Sequence, residues 1–106
     1  MNPTQLEFQK EEGGHRYTAL LEGQEVGFAE VDLVGQDGLL IKHTEIEPRY
    51  EGKGFAAALV RHILEDAKRQ QRGVIPICPY AASYVKRHPE YLEYVRADQR
   101  ERLTRS

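Results

Sequence analysis

Apolar and polar residues alternate through the first half of the chain, then recur every three to four residues through the second. Thr4 to Gln9 alternates loosely and predicts an edge strand, closed by the Lys10-Glu11-Glu12-Gly13-Gly14 turn. Tyr17 to Leu21 predicts a second strand, ended by Glu22-Gly23-Gln24-Glu25. Val26 to Val34 predicts a third, with a change of parity near Ala29-Glu30 that points to a bulge or to a strand with two covered faces. After Gly35-Gln36-Asp37-Gly38, the β-branched run Leu39 to Ile46 predicts a fourth. Turns this short make the four an antiparallel meander.

The period then changes. Phe55, Leu59, Ile63 and Ala67, with Ala56, Val60 and Leu64 beside them, form one wide apolar stripe. Arg61, Glu65, Asp66, Lys68, Arg69 and Gln70 fill the other side, so the stretch predicts a helix lying on a sheet. Arg72-Gly73 suits its end, with the glycine as C-terminal cap. Val74 to Cys78 predicts a short buried strand, and the right-handed rule for strand-helix-strand crossovers makes it parallel to Leu39–Ile46. Pro79 opens a helix to about Arg87, Glu90 to Val95 adds a helical turn, and the charged stretch from Arg96 predicts a frayed tail.

With 106 residues, one domain spanning 1–106 is expected, of α/β (α+β) class. Fifteen basic and 17 acidic residues give a net charge near −2, which argues against a nucleic-acid-binding field. Cys78 is the sole cysteine, excluding an intrachain disulfide and fitting a reducing cytoplasm. No apolar run reaches about 18 residues, so no membrane partner is expected. No His/Asp/Glu spacing suggests a metal, and the expected state is a monomer or weak dimer.

One stretch carries candidate chemistry. Between the fourth strand and the long helix, Pro48 stops the strand and Gly52-Lys53-Gly54 turns the chain. A strand-to-helix turn of this kind leaves backbone N–H groups unpaired, and the helix dipole adds about half a positive charge there. The turn is either a seat for a phosphate or a plain tight turn.

Ile46-x-Pro48-x-Tyr50-x-Gly52-Lys53-Gly54-Phe55-Ala56, between that strand and that helix, resembles the acetyl-CoA-binding motif of the GNAT N-acetyltransferase superfamily. The likeness is to its small single-domain, YjdJ-type members, through His43-Thr44-Glu45, Cys78-Pro79-Tyr80 and Tyr84-Val85-Lys86-x-His88-Pro89-Glu90-Tyr91. It covers roughly Val26 to Tyr94. The resemblance implies a minimal GNAT-like fold that binds acetyl-CoA and passes the acetyl group to a primary amine of a protein, a peptide or a small polyamine. It implies that the backbone of Gly52, Lys53, Gly54, Phe55, Ala56 and Ala57 holds the pyrophosphate, with Arg49 or Lys53 adding positive charge. The pantetheine arm would pair with the backbone of Glu45 and Ile46, and the thioester would lie between that strand and Ile77–Cys78. Glu51 departs from the motif, which has glutamine or arginine there.

Candidate catalytic residues follow. Cys78 is a nucleophile, a group beside the coenzyme A sulfur, or a small buried apolar residue. His43 and Glu45 share one strand face, where either accepts the amine proton, or else they hydrogen-bond locally. Tyr80 and Tyr84 compete to protonate the departing thiolate, and packing is the alternative for each. A non-catalytic acyl-CoA-binding module or adaptor is the competing reading of the whole, and a cofactor-free fold a third.

Overall fold

A computed structural model describes residues 5–104. Its order is β1 (Glu7–Lys10), β2 (Arg16–Leu21), β3 (Gln24–Val34), β4 (Gly38–Ile46), α1 (Phe55–Arg69), β5 (Gly73–Pro76), α2 (Pro79–Arg87) and α3 (Arg100–Thr104). A 3₁₀ turn at Pro48–Tyr50 precedes α1, and 3₁₀ segments at Pro89–Tyr94 and Ala97–Gln99 follow α2. Among the described residues the strands form one sheet in the order β1-β2-β3-β4-β5. The first four pair antiparallel, and β5 pairs parallel with β4 from Gly38↔Gly73 to Ile41↔Pro76. The expected meander, crossover and mixed fold class are present. Thr4, where the first strand was expected to begin, lies outside the described residues.

Both long helices cover one face of the sheet. Phe55, Leu59, Val60, Ile63, Leu64 and Ala67 of α1 and Ala81 and Val85 of α2 join Tyr17, Ala19, Ala29, Val31, Leu39, Ile41 and Val74 in one buried cluster. The four-residue recurrence seen in the sequence is the buried stripe. The other face carries Arg16, Phe28, Glu30, His43 and Glu45, by the pairings Arg16↔Glu30↔His43 and Phe28↔Glu45.

Two bulges decide which side chains face the helices. Ala19 pairs with Gly27 and Leu20 with Glu25, which leaves Val26 as the extra residue of β3. Glu30 pairs with His43 and Val31 with Ile41, which makes Lys42 the extra residue of β4. The parity change expected at Ala29-Glu30 therefore falls elsewhere: β3 alternates regularly from Gly27 on, and the break opposite Glu30 belongs to the partner strand. One extra residue reverses every position after it. Leu39 and Ile41 before the bulge, and Thr44 and Ile46 after it, consequently face the same side.

Gly73 is not the cap of α1. Gln71 takes the left-handed conformation (φ 60°), and Gly73 opens β5, donating to the Asp37 carbonyl at 2.7 Å. A Cβ on Gly73 would lie 2.8 Å from the Cα of Arg96, so close backbone packing is what demands glycine here. The tail expected to fray from Arg96 is instead docked through Thr104. Val95 bridges Val74, Arg96 N–H donates to the Val74 carbonyl at 2.9 Å, and Leu103 is buried.

Asp66 ties α1 to the edge of the sheet. It accepts from the Tyr17 hydroxyl at 2.5 Å, Lys10 Nζ at 3.1 Å and Gln70 Nε2 at 2.7 Å. Burial pushes its carboxyl up, but the bonds from Tyr17 and Lys10 outweigh that and hold it below the usual range. Burial and the Asp66 bond push the Tyr17 hydroxyl up. A carboxyl lowered by folding stabilises the fold above its unfolded pKa of about 4, and that stability is lost as pH falls through the lower folded value. A tyrosine raised by folding stabilises below about pH 10 and loses that stability as pH rises. Denaturant titrations from pH 6 to 3 are expected to show a shallower loss of stability for Asp66→Asn than for the wild type. Parallel slopes would mean that Asp66 does not govern acid sensitivity.

Candidate functional site

β4 outlasts its parallel partner. Pairing with β5 stops at Ile41↔Pro76, and the Ile41 carbonyl then accepts from the Cys78 N–H at 3.0 Å. From His43 to Ile46, β4 pairs with β3 on one side and, among the described residues, with no strand on the other. Its backbone N–H and C=O groups on that side are open to an extended ligand.

The open edge leads to the start of α1. Gly52 (φ 79°) and Gly54 (φ 83°) take left-handed conformations, which turn the chain sharply into the helix. Gly54 is the N-terminal cap and has no side chain to offer; its carbonyl accepts from the Ala58 N–H at 3.1 Å. The N–H groups of Phe55, Ala56 and Ala57 are therefore uncapped by any side chain, and no acidic residue stands in the first turn. Phe55 is 1% exposed and anchors this end in the core, its ring 6.0 Å from that of Tyr50.

Edge and helix end enclose a cleft of about 440 Å³ lined by Thr44, Ile46, Tyr50, Glu51, Gly52, Gly54, Phe55, Ala56 and Tyr80. The predicted Ile46, Gly52, Gly54, Phe55, Ala56 and Tyr80 meet here, with Ala57 in the adjoining turn of α1. Arg49 and Lys53 are not among the lining residues. Arg49 bonds to Glu47 at 3.2 Å and lies over the Tyr50 ring at 4.9 Å.

The other candidates are dispersed. Cys78 caps α2 and is 4% exposed; its Sγ donates to Thr44 Oγ1 at 3.6 Å. It thus stands behind the cleft wall, with Thr44 between it and the space. His43 Nε2 lies 3.5 Å from Glu45 Oε1, on the sheet face away from the helices, with the His43 ring 6.0 Å from Phe28. Tyr84 is buried among His88 (4.4 Å between rings) and Tyr91 (5.7 Å). Burial and then Tyr91 push its hydroxyl up to about 12. Tyr80, not Tyr84, stands in the cleft wall.

Thr44 and Tyr50 line the cleft, although the sequence motifs that contain them assigned neither a role in the site. Thr44 shares strand parity with Ile46, and that signal was available. Tyr50 lies on the 3₁₀ turn, where no periodicity points it inward.

The family model of GCN5-related N-acetyl-transferases matches residues 16–95. The chain belongs to the GCN5-related N-acetyltransferase family. Solved structures share its fold. A GCN5-like protein from Staphylococcus aureus, determined by NMR, superposes with a TM-score of 0.67 at 18% identity, covering 88% of this chain and 90% of that one. Rv2747 from Mycobacterium tuberculosis, crystallised with CoA, gives 0.60 at 20% identity, covering 76% and 57%. The ribosomal-protein-S18-alanine N-acetyltransferase of Escherichia coli gives 0.54 at 16% identity, covering 57% and 39%. The chain thus spans less than half of that enzyme, and at these identities the likeness is one of fold. Comparison with curated proteins gives no match. This N-acetyltransferase-family chain holds no helix, among the described residues, long and apolar enough to cross a membrane.

Proposed function

We propose that this chain binds acetyl-CoA and transfers its acetyl group to a primary amine on a protein, a peptide or a small polyamine. One observation carries the reading: the open edge of β4 runs directly into a helix end whose N–H groups no side chain caps. The first suits the amides of a pantetheine arm, the second its pyrophosphate. The Rv2747 structure with CoA supports the cofactor, since the two chains share a fold.

Transfer forms a bond from the amine nitrogen to the acyl carbon and breaks the carbon–sulfur bond, so the amine loses a proton and the thiolate gains one. In this reading the amine arrives from the sheet face that bears His43 and Glu45, and His43 accepts the proton directly or through water. Tyr80, in the cleft wall, protonates the thiolate. In this reading Cys78 is not the nucleophile, which is supported by its buried sulfur and its contact with Thr44.

The test combines coenzyme A binding, release of coenzyme A from acetyl-CoA in the presence of spermidine or a peptide with a free amine, and intact mass. Binding, amine-dependent release and an unmodified protein mass are expected, with Cys78→Ala still turning over. A persistent acetyl adduct lost in Cys78→Ala would overturn direct transfer. A non-catalytic acyl-CoA-binding role is the second reading. It is favoured by the cleft's lining, which among the described residues includes no histidine, and it predicts binding without amine-dependent release.

A further inference from the structure

Among the described residues Glu51 is the one charged residue lining the cleft, and it is acidic. It precedes the left-handed Gly52 and lies three residues before the helix cap, on the rim of the seat formed by the first turn of α1. The bases beside it in sequence do not offset it there: Arg49 is engaged by Glu47 and the Tyr50 ring, and Lys53 is outside the lining. Among the described residues no hydrogen bond or ion pair ties the Glu51 carboxylate elsewhere. The helix end attracts an anion while this side chain repels one, and the two effects act over the same few ångströms.

We infer that Glu51 sets the affinity of the cleft for the phosphate-bearing end of its ligand, holding it weaker than the helix end alone would. The inference rests on the coenzyme A reading above. Attraction comes from backbone N–H groups, which substitution at position 51 does not remove. Repulsion comes from an exposed charge, so salt screens it. The cleft then retains its ligand largely through the uncharged arm along β4, and exchanges it readily.

Calorimetric titration of coenzyme A into the wild type, Glu51→Gln and Glu12→Gln decides the matter. Glu12 lies in the β1–β2 turn, and its substitution removes the same net charge away from the cleft. Glu51→Gln is expected to bind about three- to tenfold more tightly at low salt, with the gain shrinking as salt rises. Glu12→Gln is expected to match the wild type. An unchanged or weaker Kd for Glu51→Gln would overturn the inference, since it would make the carboxylate a bystander or a ligand contact. Equal tightening by Glu12→Gln would overturn it too, by making the effect one of net charge. No binding by any of the three would instead overturn the coenzyme A reading, and this inference with it.

Discussion

Gly54→Asp is expected to abolish the thermal stabilisation that coenzyme A gives the wild type while leaving the unliganded protein folded. Ligand at 100 times its Kd stabilises a fold by about 2.7 kcal/mol, roughly 10–20 °C of melting temperature for a domain of this size. Gly54 caps α1 with φ 83° and offers no side-chain bond to the first turn. An aspartate there meets some strain from the left-handed backbone, which costs about 1 kcal/mol. Its carboxylate also sits at the positive end of the helix dipole, which contributes up to about 1 kcal/mol in return. It would thereby occupy the anion seat with its own charge. The two melting curves without ligand should therefore lie close together, and only the wild type should move when coenzyme A is added. A variant that shifts like the wild type would remove the start of α1 from the binding site.

Phe55→Ala is expected to be the most damaging core change near the cleft. Phe55 is the first residue of α1, 1% exposed, beside the ring of Tyr50. Truncating a buried phenylalanine to alanine costs about 3–5 kcal/mol. For a chain of this length the whole stability is on the order of 5–15 kcal/mol. Urea unfolding should show a midpoint lowered by that free energy divided by the slope, with the slope itself unchanged. A loss below about 1 kcal/mol would mean that the cleft end of α1 is not held by the core. Phe55→Leu, which keeps most of the volume, should recover much of the loss and separates packing from aromaticity.

The strands and helices were legible because each buries one face, and burial imprints a period of two or of about 3.6 on the sequence. The glycine loop was legible because only a turn with left-handed residues places Gly52 and Gly54 so close together. What the sequence hid lies in backbone irregularity and tertiary packing. Counting by twos from Leu39 and Ile41 puts His43 and Glu45 on the helix side. The extra residue Lys42 turns them to the other side and brings Thr44 to the cleft. Nothing in the composition of β4 announces that bulge. The tail looked polar enough to fray, yet Leu103 finds a buried site, and Arg100 and Arg102 donate to the carbonyls of Val95 and Pro76. Those partners are distant in sequence or set by the turn, so no local pattern reports them. Arg49 and Lys53 were read as cationic by type, but charge matters only where a side chain is free to face the ligand.

The docking of Val95 and Arg96 against Val74 also makes the sheet polar in the sense of growth. Beyond β5, hydrogen bonding is already taken up by the chain's own following segment. At the far side, among the described residues, β1 has no strand outside it. Among the described residues, the margin left free for a further outer strand is therefore Glu7–Lys10, the end away from the cleft. A strand added at that margin would leave the open edge of β4 and the cleft beside it uncovered.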